Sequence, residues 1–319
     1  MTIAICGVIC GAESWTEIEQ FGHDKEAWFR TFLKLPQGIP SHDTFGRVFA
    51  ALEPQAFERC FQAWTKALAE QKAGKIIPVD GKTLRRSFEH AWDKTGLHLV
   101  SAFSENNGLV LGQVATEAKS NEITAIPKLL ELLDLRGATV TIDAMGCQKE
   151  IARQIIAQGG DYVLAVKDNQ PKLHQHVKAL LDEAIIDSFH GMEGDSHQRT
   201  EGGHGRIEHR KTWCTPEVQW LKQKDDWPGL RSIAVVESQR ELHGQTSGAR
   251  RYYISSLSGT DAQVMAAAIR GHWGIENRLH WQLDVSFNED QCRVRKGHAA
   301  ENLSRLRRMA LNLLKQEKS

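Results

Sequence analysis

Two short apolar runs, Lys75-Ile-Ile-Pro-Val-Asp80 and Ala138-Thr-Val-Thr-Ile-Asp143, each end on an aspartate, and their surroundings constrain the fold more than any other feature. Apolar runs of this length, rich in β-branched residues, read as strands. Residues 98–104 and 109–116 are two more strand-like runs. They are joined by Glu105-Asn-Asn-Gly108, whose Asn-Gly pair suits a tight hairpin turn. Residues 125–133 read as an apolar helix, 148–158 as a second helix and 161–166 as a further strand. The order strand, strand, strand, helix, strand, helix, strand implies a mixed α/β sheet with helices packed on its faces.

The flanks differ in texture. Residues 1–75 read as a helical domain, and residues 76–319 as the α/β domain. Ser14 and Thr16 are candidate caps, and Trp28, Phe29, Phe32 and Leu33 recur at helical spacing. Leu35-Pro-Gln-Gly-Ile-Pro40 breaks that pattern, and 41–49 begins a new helix capped by Ser41 or Asp43. Residues 56–72 form a third, with Phe57, Cys60, Phe61, Trp64 and Leu68 along one stripe. An insertion at about 187–250 interrupts the α/β rhythm. Its first part, 190–205, is rich in Gly and His and reads as loop, and 207–214 and 230–237 read as strands. A last strand covers 252–257 and a helix covers 262–283. From Cys292 onward the chain carries eight Lys and Arg against two Glu, in a helix suited either to DNA or to a solvated charged face.

Charge and cysteine usage narrow the function classes. Forty basic residues balance forty acidic ones in 319 residues, so any nucleic acid must be held by local basic patches. The uncharged opening stretch, residues 1–12, is well short of the ~18 apolar residues of a membrane span. No Lys or Arg precedes Lys25, as a secretory signal would require. Six scattered cysteines then read as reduced thiols of a bacterial cytoplasm.

The two aspartates carry the chemistry. In α/β sheets ligands gather at strand ends, and paired carboxylates repel unless a proton or cation lies between them. Hard oxygen donors favour Mg²⁺ or Mn²⁺. Taken singly, each aspartate also reads as an ordinary turn residue, Asp80 above all because Gly81 follows it. Glu276 is the natural third acid, with Asp284, Glu289 and Asp290 as spare acids nearby. His272, Glu276 and His280 fall on one helical stripe. The spacing is not that of a helical zinc motif, so a zinc site is discounted. Trp273 and Trp281 on the adjacent stripe read as core. Lys82, Arg85 and Arg86 follow the first acid and suit phosphate contacts, or are plain surface charges. His204, Arg206 and Arg210 alternate along one strand face, which tracks DNA phosphates or is a solvated edge. Lys167 and Asn169 have no role legible from the sequence.

Long blocks now bring a resemblance. The segments Gly38-Ile-Pro-Ser-His-Asp-Thr-Phe45, His98-Leu-Val-Ser-Ala-Phe103, Lys119-Ser-Asn-Glu-Ile-Thr-Ala-Ile-Pro127, Thr141-Ile-Asp-Ala-Met-Gly146, Tyr162-Val-Leu-Ala-Val-Lys167, His204-Gly-Arg-Ile-Glu208 and His272-Trp-Gly-Ile-Glu-Asn277 closely resemble the ISAs-type insertion-sequence transposases. That group includes the H-repeat-associated proteins found beside Rhs elements. The resemblance runs from about residue 3 to residue 315.

The resemblance implies a ribonuclease-H-like fold and a DDE active site, with Asp80 as first acid, Asp143 as second and Glu276 as third. It implies two Mg²⁺ or Mn²⁺ ions and double-stranded DNA as partner, both terminal inverted repeats and target, bound by a homodimer. The reaction implied is strand cleavage at the element's ends followed by strand transfer. Related transposases often carry Tyr, Arg and Lys around the third acid. Those places hold Ile269, His272 and Leu283 here, with Arg270, Arg278 and His280 as substitutes. Relatives also carry residues ahead of the segment that starts at Met1. The alternative expectation is therefore a transposase-derived protein that binds DNA without cutting it.

Overall fold

The computed structural model describes residues 1–68, 75–87, 96–116, 122–203, 206–242 and 245–317. The chain opens with helices α1 (Thr2–Ile9), α2 (Trp15–Asp24), α3 (Glu26–Phe29), α4 (His42–Ala51) and α5 (Pro54–Leu68). Strands β1 (Lys75–Thr83), β2 (His98–Ser104) and β3 (Leu109–Ala115) follow, then helix α6 (Glu122–Leu130), β4 (Ala138–Ile142), α7 (Lys149–Ala157), β5 (Asp161–Val166) and α8 (Pro171–Ile186). Four long strands come next, β6 (Asp195–Gly203), β7 (Arg206–Thr215), β8 (Ser232–Leu242) and β9 (Gln245–Ser255). The chain closes with α9 (Ala262–Ile275), a π-helical turn at Glu276–His280, α10 (Trp281–Val285) and α11 (Ala299–Gln316). These elements form two compact units, one of Met1–Gln71, Asp80–Leu133 and Gly274–Ser319, the other of Lys72–Val79 and Asp134–Trp273.

Local chemistry sets the helix starts. Ser14 caps α2 by accepting the Glu17 N–H at 3.3 Å, and the Glu17 carboxylate takes the Glu13 N–H at 2.8 Å. The exchange satisfies donors that the first helical turn leaves over. Ser41, of the two candidates, caps α4. In the first unit the aromatic stripes converge on a core of Phe29, Phe49, Phe61, Phe103, Leu279 and Leu303. Helix α11 is bolted into that core by amides. Asn302 donates to the carbonyls of Phe49 and Leu52 at 2.9 and 2.8 Å, and Asn312 exchanges two 2.9 Å bonds with the Val110 backbone.

The basic C-terminal helix departs from expectation. Arg305, Arg307 and Arg308 are almost fully buried. Arg305 binds Glu58 at 2.6 Å and Arg308 binds Glu289 at 3.0 Å. Arg305 and Arg308 are paired inside the core, because a buried guanidinium persists only with a carboxylate to compensate it, and Arg307 donates to the Glu13 carbonyl at 3.5 Å. They form neither a solvated face nor a DNA surface.

In the second unit the strand order is β1-β4-β5-β9-β8-β7-β6. Strands β1, β4 and β5 are parallel, and every later pairing is antiparallel. Strand β1 continues into the first unit, where β2 is its neighbour and pairs antiparallel with β3. This is the expected mixed α/β class, and strands occupy the region from 195 to 242 where the insertion was placed.

Three elements differ from the sequence reading. Strand β1 does not turn at Asp80-Gly81 but runs on to Thr83. Residues 195–203, expected as loop, form β6, because cross-strand pairing with β7 outweighs the low strand preference of Gly. Helix α8 has no counterpart in the sequence reading, although Pro171 at its first position is a start signal. The end of the helix expected at 56–72 falls outside the described residues.

Candidate functional site

Strands β1 and β4 run parallel with Val79 opposite Ile142. The next residues along the two strands are Asp80 and Asp143. Asp80 lies within β1, which runs on to Thr83, and Asp143 directly follows the last residue of β4. Asp143 then folds into a tight turn, its Oδ1 accepting the N–H groups of Met145 and Gly146 at 3.0 and 3.4 Å. That Asx arrangement fixes the carboxylate. The turn is hung from the segment after β5, where the Asn169 side-chain amide donates to the Ala144 carbonyl and Gln170 donates to the Cys147 carbonyl at 3.0 Å. Asn169 thus holds the backbone just beyond Asp143, a role no local sequence signal announces. His272 Nδ1 sits 3.1 Å from Thr141 Oγ1. Burial pushes its imidazole below the usual value, with the Asp143 charge opposing.

Asp80 Oδ2 lies 3.5 Å from Nδ1 of His280. Lys82, two residues on and so on the same strand face, donates to Asp284 at 2.6 Å and to Asp290 at 2.8 Å, with its side chain only 8% exposed. On the opposite face of β1, a Cβ at position 81 would stand 2.0 Å from Glu122 Oε1 and 2.5 Å from His98 Nε2. Glycine after Asp80 therefore serves a close approach and not a turn. His98 itself bridges Glu122 at 2.8 Å and Thr83 Oγ1 at 2.7 Å.

Glu276 opens the π-helical turn and is exposed. Single π turns of this kind are frequent at functional sites. Among the described residues, no group of three or more His, Cys, Asp or Glu side chains is gathered closely enough to hold a metal ion. The donor chemistry of Asp80, Asp143 and Glu276, all carboxylate oxygens, suits Mg²⁺ or Mn²⁺. Asp284 and Asp290 are bound to Lys82, and Glu289 to Arg308, so the spare acids are engaged elsewhere. The tryptophans are not core as expected: Trp273 is 37% and Trp281 56% exposed, with the Arg251 guanidinium 5.1 Å from the centre of the Trp273 ring.

The basic candidates fall into different settings. Arg85 is largely exposed, its Nε 3.2 Å from Asp290, and Arg86 is exposed. Arg210 pairs with Glu201 at 2.8 Å and with Glu208, and Arg270 lies 3.6 Å from the same Glu201. Arg278 is spent on the β2–β3 hairpin, donating to the Glu105 carbonyl at 2.9 Å and its carboxylate at 3.0 Å. Arg206 lies on β7, and His204 lies outside the described residues.

Comparison with known proteins adds a second line of observation. A family model described as a transposase DDE domain matches residues 71–313, and one described as DDE_Tnp_1-associated matches residues 1–65. YncI of Escherichia coli O157:H7, assigned as a transposase, is 47% identical over 98% of this chain and 80% of its own length. The H repeat-associated protein YhhI of Escherichia coli K12, also assigned as a transposase, is 41% identical over 100% of this chain and 84% of its own. A shorter match, 42% identical over 15% of this chain, is to a K12 protein named inactive transposase YbfQ. The cryo-EM structure of the piggyBac transposase synaptic complex with hairpin DNA aligns at a TM-score of 0.42 and 10% identity, over 98% of this chain and 64% of that one.

Proposed function

The chain belongs to the DDE transposase family, and we propose that it cuts DNA at the ends of an insertion sequence and joins the freed ends to target DNA. Asp80, Asp143 and Glu276 are the catalytic acids in this proposal and hold two Mg²⁺ or Mn²⁺ ions. The observation that carries it is the β1–β4 register, with Val79 opposite Ile142 and an aspartate next on each strand. Bound ions supply Lewis-acid activation of water and neutralise charge on the phosphoryl group in flight.

The chain's own residues do the positioning. The Asx turn and Asn169 hold Asp143 in one orientation before substrate arrives, which lowers the cost of assembling the site. Arg85, Arg86 and Arg270, exposed or half-exposed, supply phosphate contacts that fix the duplex without reading its sequence. The N-terminal helices α1 to α5, all but the end of α5 lying within the segment that matches the DDE_Tnp_1-associated model, recognise element ends in this proposal. Residues 76–319, with the insertion at about 187–250, form the catalytic domain. A homodimer holds two ends together.

The test is nicking of a duplex carrying the inverted repeat that borders the coding region, with Mg²⁺ or Mn²⁺ added. We expect the wild type to nick and to transfer strands. Asp80→Asn, Asp143→Asn and Glu276→Gln should each abolish cleavage while retaining DNA binding and a cooperative melt. Full turnover in any of the three would sink the assignment. One observation favours a second reading, a DNA-binding protein without cleavage: a relative 42% identical over 15% of this chain is named an inactive transposase. Tight binding by the wild type with no nicking in either metal would support it.

A further inference from the structure

We infer that Lys82, His280 and Asp284 form a register lock between the strand that carries Asp80 and the helix that carries Glu276. Lys82 is then a positioning residue for the acids and not a contact to DNA phosphate. This rests on the assignment of Asp80 and Glu276 made above.

Two repeat lengths match across the strand and the helix. Asp80 and Lys82 are two residues apart on β1, so they share a face and stand about 6.6–6.8 Å apart along it. His280 and Asp284 are four residues apart on the helical segment, a rise of about 6 Å on one side. The steps match, and the contacts follow them: His280 faces Asp80 at 3.5 Å and Asp284 binds Lys82 at 2.6 Å. Glu276 is one step earlier on the same row, carried through the π turn. Sliding β1 by one residue would send Lys82 to the opposite face of the strand. Turning the helix by one residue would swing Asp284 away by ~100°. Only one register keeps both contacts.

The lock is closed and anchored. Lys82 is almost excluded from water and takes a second carboxylate, Asp290, at 2.8 Å. The preceding residue, Glu289, is fully buried and accepts hydrogen bonds from Ser304 at 2.7 Å and Arg308 at 3.0 Å, both on α11. A phosphate seeking the Lys82 ammonium would have to displace two carboxylates from a buried seat, leaving both charges without their cation. Arg85, beside it, also pairs with Asp290 at 3.2 Å, but its side chain is 81% exposed and open to a phosphate.

The test compares the full chain with Lys82→Met, Lys82→Arg and Asp284→Asn, using Mn²⁺ alone as the metal probe and the terminal-repeat duplex as DNA. Asp284→Asn leaves Asp290 on Lys82 and keeps the fold testable if Lys82→Met melts. In Lys82→Met and Asp284→Asn, Mn²⁺ affinity by calorimetry and cleavage should both fall about 10–100-fold, the range for residues that orient metal ligands. Amide exchange across residues 276–285 should speed up. DNA affinity should hold within about twofold with an unchanged salt dependence, and Lys82→Arg should recover most of the loss. A salt slope reduced by about one, with Mn²⁺ affinity intact, would make Lys82 a phosphate contact and overturn the lock. If the wild type neither binds Mn²⁺ nor cuts, the catalytic assignment fails. Unchanged exchange at 276–285 would then overturn the lock separately, and faster exchange would support it.

Discussion

Arg308 and Glu289 meet with neither side chain exposed, and that pair shows what a single residue can hide. Burial alone would raise the Glu289 carboxyl, but Arg308, Arg307, the Ser304 hydrogen bond and Lys82 outweigh it and hold the group below its ordinary value. A carboxylate whose folded pKa is depressed stabilises the protein above its unfolded value, about 4.3. That contribution is lost as the pH falls through the folded value. We therefore expect the urea midpoint of the wild type to drop between about pH 5 and pH 3 more steeply than that of Glu289→Gln. At neutral pH, Glu289→Gln should cost about 3–5 kcal/mol, because it strands a buried guanidinium. Cysteines give a second residue-level prediction. Burial pushes the Cys147 thiol up, and Cys214 up to about 12. Cys10 and Cys60 are exposed. Alkylation at pH 8 should label Cys10 and Cys60 quickly, and Cys147 and Cys214 only after unfolding. Equal rates at all four in the native state would contradict the packing around the Asp143 turn. The sequence shows that six cysteines are scattered, but not which ones water reaches.

At the scale of elements, local chemistry was legible wherever the signal was itself local. The Ser14 and Ser41 caps, the 104–109 hairpin with Gly108 at a φ of +68°, and strands β4 and β5 all follow from residues a few positions apart. Ser14→Ala should lower stability by about 1 kcal/mol, read from thermal melts. Gly81 is the instructive failure. An Asp-Gly pair at the end of an apolar run reads as a turn, yet β1 passes straight through it. What demands glycine is the Glu122 carboxylate, from a helix some forty residues later. Gly81→Ala should therefore push aside the paired Glu122 and His98 side chains and destabilise by about 1–3 kcal/mol. Gly202→Ala, with nothing within 4 Å of the added methyl, should do neither. Strand β6 is illegible in the sequence for a related reason: its Gly- and His-rich composition lacks apolar alternation, and only pairing along β7 makes it a strand.

For the whole molecule, family membership rests on matched blocks along nearly the full length. No helix among the described residues is long and apolar enough to cross a membrane. If the three acids hold divalent ions, Mn²⁺ should raise the melting temperature of the wild type and EDTA should reverse it, by ordinary ligand linkage. The shift should vanish in Asp143→Asn, checked by scanning fluorimetry. A wild type indifferent to Mn²⁺ would count against the metal site. The sequence by itself determined the mixed α/β class, the order of strands and helices from β1 to β5, and the family. Hydrophobic period and turn chemistry act over a few residues, and long matched blocks carry the rest. Only the tertiary structure decided which charges are spent and which stay available. Lys82 finds Asp284 across 202 positions, and Arg305 finds Glu58 across 247. The penalty for burying a charge depends on partners that distant, and no window along the chain contains them.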